Sequence, residues 1–382
     1  IRRSDHGTAV AMNKKRHLDL SGPARFVAGQ EVLPAVLAEA GDTGVFLVGG
    51  AVRDALLGLD PVDLDLVVEG DAVALALRLD PEATVHERFG TAECEVEGVM
   101  IDLATARTEK YAHPGSLPDV TPSSLREDLS RRDFTINAMA LDPRDPEELV
   151  DPLGGCDDLE RGVLRVLHPE SFHDDPTRAL RAARYAARFG FDLEPVTADL
   201  LAGVDLSSVS SERVGAELML MAGEKEGLKA LALVSQWGLL DIEPERLELA
   251  ADALDLAGSA QWQGVCERGD PGMEAVFGDP GDLAGLTGSE PGSPLESVVR
   301  ARAHSGCEQL VARAAGSTWL DRYRTEWAEV TLEIDGDDLI EAGVPQGPAI
   351  GLGLDAALAA RLDEGIDGRD EQLAIALAAA RA

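Results

Sequence analysis

The sequence lacks several features that would classify a protein quickly. No run of about 18 apolar residues occurs, which excludes a membrane-spanning helix. Cysteine is sparse. Cys94, Cys156, Cys266 and Cys307 are scattered with no C-x-x-C pair, so neither a zinc site nor a disulfide framework is expected, and a reducing cytoplasm is. No signal peptide is evident: Arg2, Arg3, Lys14, Lys15 and Arg16 are basic, but no apolar stretch follows them. Met12 is a candidate natural start, with residues 1–11 upstream of it. Lysine is nearly missing, with five against 29 arginines, and 70 acidic residues outnumber 34 basic ones for a net charge of −36. Such a charge speaks to solubility and association rather than to fold. A nucleic-acid binder ordinarily shows a basic footprint. The acidity therefore leaves two readings: a salt-adapted surface that is acidic except at one binding face, or a chain that binds no nucleic acid. What is present is a hydrophobic fraction of 45% over 382 residues, enough to build real cores.

The stretch from Val45 to Val68 carries the most chemistry. Val45 to Val48 reads as a short buried strand. Gly49 and Gly50 follow, where the backbone turns and a ligand can come close. Arg53 and Asp54 sit in a helical segment ending near Leu57-Gly58, and Pro61 resets the chain. Asp63 and Asp65 fall on a second strand, Val62 to Val68, and a period of two puts both carboxylates on one face. Two such carboxylates repel unless a cation lies between them, and Mg²⁺ with its preference for oxygen ligands and phosphates fits. The Gly-Gly turn offers N–H groups to phosphate oxygens, and Arg53 adds a charge-assisted contact. Together these parts point to nucleotidyl transfer with two metals. A bare D-x-D is more often a solvated pair, but the G-G-x-V-R-D ahead of it reverses that preference.

These residues carry a resemblance. G-G-A-V-R-D, the L-L-G after it and D-L-D resemble the head domain of bacterial tRNA nucleotidyltransferases (CCA-adding enzymes) and their relatives, the bacterial poly(A) polymerases. Both belong to the polymerase-β-like nucleotidyltransferases. The likeness continues over most of the chain. It implies an α+β protein, with a head of a small sheet and helices followed by an all-α neck, body and tail. The expected segments are a lead-in at 1–24, the catalytic head at 25–155, a base-reading neck at 156–225, a body with a Gly/Pro-rich acidic loop at 226–295, and a tRNA-binding tail at 296–382.

In chain order, one helix is expected over 28–39, with Pro34 inside it as an uncertainty, and another from Asp71 to Leu79. Residues 83–104 read as strands with a hairpin turning at Gly98. Asp102 there is either a third carboxylate and metal ligand facing the Asp63/Asp65 pair or a strand-end aspartate bonding nearby backbone. Residues 105–124, with Pro114, Gly115, Pro118 and Pro122, read as a loop. Its R-x-E-x-Y residues, Arg107, Glu109 and Tyr111, resemble a mobile loop linked in the family to the switch from adding C to adding A.

Residues 128–141 read as a helix or a strand–helix join. Arginines beside an aspartate in an apolar segment are costly unless they pair internally or face a ligand. R-R-D-F-T-I-N-A matches the family motif, and the resemblance implies that Arg132 contacts triphosphate while Asp133 and Asn137 read ribose hydroxyls. Asp175 is a plausible N-cap before Pro176. Arg178, Arg181, Arg184 and Arg188 then share one helix face, which read plainly is a solvated face; Leu180, Tyr185, Phe189 and Phe191 read as core. The family's D-D-P-x-R motif implies that Asp175 and Arg178 read the base, with Arg181 and Arg184 supporting them. Glu212, Arg213 and Glu217 are expected to brace that helix. Arg181, Arg184 and Arg188 are further expected to form a positive lining that grips tRNA.

Residues 264–295 read as loops, 298–310 and 319–333 as helices. G-x-D-L at 336–339 and the glycine motif at 343–351 resemble the family's tail, which is either a phosphate-binding turn or a joint needing glycine for packing. The expected activity is template-independent addition of CMP and AMP to the tRNA 3′ end from CTP and ATP with Mg²⁺. No membrane association, protein partner or appended phosphohydrolase domain is expected: His304 is followed by Ser305, not by an aspartate. The alternatives are an A-adding or CC-adding enzyme, a poly(A) polymerase (which usually carries a basic extension), an inactive RNA-binding relative, and a small-molecule nucleotidyltransferase.

Overall fold

The computed structural model describes residues 15–267 and 269–382. The basic residues Arg2, Arg3 and Lys14 and the candidate start at Met12 lie outside the described residues. The described chain divides into two compact units, one ending at Asp241 and one of Ile242–Ala382.

The first unit is built on a mixed sheet. Its strands are β1 (Val45–Val48), β2 (Asp65–Val68), β3 (Thr84–His86), β4 (Thr91–Val96) and β5 (Val99–Thr105), with β6 (Arg107–Lys110) and β7 (Asp119–Pro122) outside it and β8 (Ala140–Leu141) and β9 (Leu149–Val150) completing it. The order across the sheet is β3-β4-β5-β2-β1-β8-β9. β1 and β2 are antiparallel, while β2 and β5 are parallel. The hairpin expected at Gly98 is present. Val96 pairs with Val99, so Glu97 and Gly98 are its two loop residues, and both have positive φ, 52° and 82°, which matches the twist of the strands. Along β4, Ala92, Cys94 and Val96 face the core while Glu93 and Glu95 face out.

Several expectations need correction. The single helix over 28–39 is two short helices, Gly22–Ala28 and Leu33–Ala40; Pro34 lies in the first turn of the second, where a missing N–H costs nothing. The 105–124 loop contains a second hairpin, because β6 pairs with β7 from Arg107↔Pro122 to Lys110↔Asp119. Its prolines sit at a strand end and in the connection, where they break no ladder. Residues 128–141 are neither one helix nor a simple join: a helix of Leu125–Ser130 is followed by a 3₁₀ turn, Thr135–Asn137, and then β8.

Helices follow the sheet. Thr177–Phe189 buries Leu180 together with Ala179, Ala182, Ala183, Ala186 and Ala187, and these alanines admit close neighbours. It packs against Gly227–Gln236 and Ser211–Ala222 and ends at Gly190, whose φ of 64° closes the helix in the left-handed region. A short parallel pair, Val163–Leu164 with Asp192–Leu193, also appears where strands were not expected.

The second unit is helical. One core gathers Trp262, Val298, Leu310, Trp319, Leu320 and Tyr323, and the indole N–H groups of Trp262 and Trp319 are satisfied by Asp321 and the Leu286 carbonyl. The expected loop at 264–295 contains helices Pro271–Phe277 and Ala284–Thr287. The helix expected over 319–333 stops early, passing through Trp319–Arg322 and a wider turn at Tyr323–Trp327. Near the C-terminus Pro348–Ala359 crosses Arg369–Ala380 so closely that a Cβ at Gly353 would meet the Ala376 carbonyl oxygen at 2.7 Å.

The expectation of no disulfide is also corrected: Cys266 and Cys307, 41 residues apart, are bonded with Cα atoms 4.9 Å apart. Tertiary packing brings them together, which sequence spacing does not reveal. Cys94 and Cys156 are free thiols. Among the described residues no helix is long and apolar enough to cross a membrane.

Candidate active site

The acidic side of the site lies at the start of β2. The strand begins at Asp65 rather than Val62, so exposed Asp63 stands just ahead of it and Asp65 is half-buried, while Leu64 and Leu66 are buried as a period of two requires. The register pairs Asp65 with Asp102 on β5, and Asp102 in turn with Glu93 on β4. Asp102 is thus a lateral neighbour of the pair. The side chains of Asp63, Asp65 and Asp102 make no hydrogen bond or ion pair with a described residue. Burial pushes the Asp65 carboxyl up to about 6; Asp102 and Asp63 add to this, against the pull of Arg132 and Arg53. Asp102 is raised as well, by partial desolvation and then by Glu93 and Asp63. An oxygen-only set of unpartnered carboxylates fits a hard divalent cation. Among the described residues no three such groups are gathered into a closed metal cage, so a cation here would complete its shell with water and substrate oxygens.

The turn after β1 serves the opposite charge. Gly49 has φ 66°, and a Cβ there would lie 2.9 Å from Nη1 of Arg132. Its N–H already donates to the Met139 carbonyl at 3.2 Å, so the glycine is required for Arg132's approach rather than as a phosphate donor. Gly50 starts the Gly50–Leu56 helix. Arg53 is 4% exposed; Nε donates to Asp54, Nη1 donates to Asn137 Oδ1 at 2.6 Å, and the guanidinium stacks 5.2 Å from Tyr185 and 4.8 Å from Phe189. Only its Nη2 lacks a partner among the described residues.

The rest of the wall is arginine with carboxylate partners. Both Arg131 and Arg132 do pair internally, with fully buried Asp128. Asp133 accepts from Phe134 N–H, Asn137 Nδ2 and Arg181. Burial would raise its carboxyl, but Arg181 and these donors outweigh it and hold it at about 2. Asp175 splits its work: Oδ1 accepts from Thr177 N–H, Thr177 Oγ1 and Arg213, while Oδ2 accepts from Arg213 alone. Pro176, not Asp175, is the residue that caps the Thr177–Phe189 helix, but Oδ1 of Asp175 still serves the helix start through Thr177, while Oδ2 is engaged by Arg213 alone. Arg178 is buried, donating to Ser171 Oγ at 2.6 Å and to the Arg131 carbonyl at 2.7 Å.

The solvated-face reading of the Arg178 to Arg188 stripe does not hold, and neither does a free positive lining. Arg181 and Arg184 meet Glu217, Arg184 and Arg188 meet Glu224, and Arg188 meets Asp54. Arg213 and Glu217, four apart on one helix face, brace the wall. Glu212 is exposed on another face and takes no part, contrary to expectation. On β6, Glu109 accepts from Arg107, Arg131 and the Tyr111 hydroxyl.

One cavity of about 900 Å³ brings these groups together. Asp63, Asp65, Gly50, Arg53, Arg107, Tyr111, Arg132, Asp133, Asn137, Asp175 and Arg178 all line it. Asp102 opens on an adjoining hollow of about 230 Å³ that shares Asp65 and Arg132. Sequence reasoning missed Asp54, Glu224 and the specific role of Asp128. Asp128 was findable, since it stands three and four residues ahead of the two arginines, which follow directly on its helix; Asp54, 134 residues from Arg188, was not.

Carboxylates at the end of a mixed sheet, opposite an arginine-rich cavity of nucleotide size, define a site of the phosphoryl- and nucleotidyl-transfer class. Residues 45–165 match the family model of the poly(A) polymerase head domain. A CC-adding tRNA nucleotidyltransferase from Deinococcus radiodurans is 36% identical over 341 residues, 87% of this chain and 88% of that protein. An A-adding tRNA nucleotidyltransferase from Halalkalibacterium halodurans is 43% identical over 201 residues, which is 49% of this chain and only 47% of that protein's length. The solved Thermotoga maritima CCA-adding enzyme complexed with tRNA matches with a TM-score of 0.66 at 26% identity, over 94% of this chain and 98% of that one. The chain belongs to the bacterial tRNA nucleotidyltransferase family.

Proposed function

We propose that the chain adds nucleotides to the tRNA 3′ end without a template, two C residues and then A, from CTP and ATP with release of pyrophosphate. The observation that carries this reading is the single cavity, in which unpartnered Asp63 and Asp65 open onto the same space as Asp133, Asp175 and Arg178. The bond from the tRNA 3′ oxygen to the α-phosphorus forms as the bond to pyrophosphate breaks, and the hydroxyl proton leaves to a neighbouring base or water. We assign Mg²⁺ to Asp63 and Asp65, with Asp102 beside them; when bound it would activate the attacking hydroxyl and offset charge on the leaving group.

Arg132, with Gly50 and the free Nη2 of Arg53, takes the triphosphate. Asp133 and Asn137 orient the ribose. Cytosine and adenine both present an amine beside an unprotonated ring nitrogen. Asp175 Oδ2 accepts from the amine and Arg178 donates to the ring nitrogen, whereas guanine and uracil would leave these groups mispaired. We keep residues 25–155 as the catalytic head, 156–225 as the base-reading neck, and 226–295 and 296–382 as body and tail.

Addition of CC alone is a second reading, favoured by the Deinococcus relative that aligns along most of both chains. Against it stands the β6–β7 hairpin with Arg107, Glu109 and Tyr111, which the family resemblance associates with the switch to A. The test is incorporation into tRNA transcripts ending before CCA, after C and after CC, with each nucleotide supplied singly and then together, across a range of salt. Two C followed by one A supports the proposal. C alone or A alone moves the chain to one half of a split pair, long A tails on unrelated RNA make it a poly(A) polymerase, and no incorporation at any salt overturns the activity.

A further inference from the structure

We propose that Asp128 is a positioning residue that aims Arg132 into the cavity and, through Arg131, ties the base-side arginine and the β6–β7 hairpin to the same point. The proposal rests on the nucleotidyl-transfer reading above and assigns it a residue that touches no substrate. Asp128 is 0% exposed and divides its oxygens between two guanidiniums. Oδ2 accepts from Nη2 and Nε of Arg132 at 3.0 and 3.3 Å. This side-on pairing uses up one edge of the guanidinium and fixes its plane. Nη1 has no hydrogen-bond partner among the described residues, and it passes over Gly49, where a Cβ would lie 2.9 Å away. Arg132 is thus held from one side by Asp128, admitted on the other by a missing side chain, and left with one outward amino group.

Oδ1 serves the second connection. It accepts from Nη2 and Nε of Arg131 at 2.6 and 2.9 Å and from the backbone N–H of Arg107 at 3.2 Å, where β6 begins. Arg131 then donates to Glu109 on β6 at 2.8 Å, and its own carbonyl accepts from Arg178 at 2.7 Å. Three parts with separate expected duties, the phosphate arginine, the base-side arginine and the hairpin, therefore share one buried carboxylate. One negative charge against two guanidiniums also leaves the cluster net positive. Counting Glu109, which pairs with both Arg107 and Arg131, two carboxylates face three guanidiniums; the cluster keeps one positive charge, and the outward Nη1 of Arg132 presents it where a triphosphate would need it.

The test is Asp128→Asn, close in shape but uncharged, read by kcat and KM for CTP and ATP on tRNA transcripts, by thermal midpoint, and in a double-mutant cycle with Arg132→Lys. The expected result is a KM raised about tenfold or more for both nucleotides. The same substitution should have less than about a twofold further effect when Arg132 is already lysine, because the two act as a unit. Losses that multiply in both backgrounds, or an unchanged KM with a lowered midpoint, overturn the proposal and leave Asp128 a purely structural group. If Asp128→Asn does not fold, Arg131→Lys keeps the charge but not the fork; a severalfold rise in KM supports the proposal and no change overturns it. If the unaltered protein incorporates nothing, the activity reading fails separately. The cycle is then run on equilibrium binding of CTP and ATP, where the same non-additivity is expected and simple additivity overturns the proposal.

Discussion

On the strand side of the cavity, Asp63, Asp65 and Asp102 have no cationic partner, and burial with mutual repulsion raises Asp65 to about 6. On the helix side, Asp128, Asp133 and Asp175 each take at least one guanidinium, and Asp133 is held at about 2. The same side chain is thus left without a cationic partner in one place and made part of the architecture in the other. The difference comes from partners, not from composition. It also bears on the acidity of the chain. A net charge of −36 describes the whole sequence, yet the cavity's far wall is arginine-rich, and most of its guanidiniums are paired with local carboxylates, with a surplus of one positive charge around Asp128.

The largest effect that would break this comparison is on the strand side. Asp65→Asn should lower nucleotide incorporation by at least about two to three orders of magnitude, while the thermal midpoint holds or rises because a repulsive charge is gone. A loss of stability comparable to the loss of activity would place Asp65 with the structural carboxylates. On the helix side the pattern should invert. Asp133→Asn should cost about 3 kcal/mol in urea unfolding, the low end for orphaning a buried charge, since Arg181 keeps 30% side-chain exposure and a second partner in Glu217. It should also narrow any preference for ribonucleotides over deoxyribonucleotides in the incorporation assay.

The pH dependences should differ in sign. Asp133 has a folded pKa depressed to about 2, so its contribution is present above the ordinary carboxylate range near 4 and is lost as pH falls from about 4 through 2. Asp65 has a folded pKa raised to about 6, so its contribution is fully present below about 4 and is lost as pH rises through 6. Stability of the unaltered protein minus that of each Asn variant, followed by urea midpoints from pH 3 to 8, should therefore rise with pH for Asp133 and fall with pH for Asp65. The smallest effect should come from an exposed pair in the helical unit. Glu326→Gln removes the charge partner of Arg322, their side chains being 48% and 62% exposed, leaves the Arg322 stack on Trp327 in place, and should change stability by less than about 0.5 kcal/mol. A cost equal to that of Asp133→Asn would mean that burial is not what separates the two classes of pair.

Much of the strand side was legible in the sequence because its signals are local. Gly49-Gly50 marks a turn and Asp63-Leu64-Asp65 the entry to a strand, which itself begins only at Asp65, and alternation along Ala92 to Val96 announces the β4–β5 hairpin. The helix side was legible by motif but not by partner. That Arg181 meets Asp133, 48 residues away, or that Arg188 meets Asp54, depends on how the Thr177–Phe189 helix packs, which no local pattern encodes. The β6–β7 hairpin was hidden by Pro114, Pro118 and Pro122, whose turn signal is genuine but says nothing of the short ladder that flanks the first two and ends at the third. In the second unit, glycine and proline between 264 and 295 punctuate short helices rather than replacing them. The Cys266–Cys307 bond depends on a tertiary approach.

On this reading the unpartnered carboxylates hold a cation while the arginine wall holds the nucleotide. The most direct measurement is calorimetric titration of a non-hydrolysable CTP analogue into the protein with and without Mg²⁺, repeated on a variant with Asp63→Asn and Asp65→Asn together. Nucleotide should bind in all four cases, more tightly with Mg²⁺ in the unaltered protein and equally with or without it in the variant. Equal strengthening by Mg²⁺ in both proteins would contradict this reading.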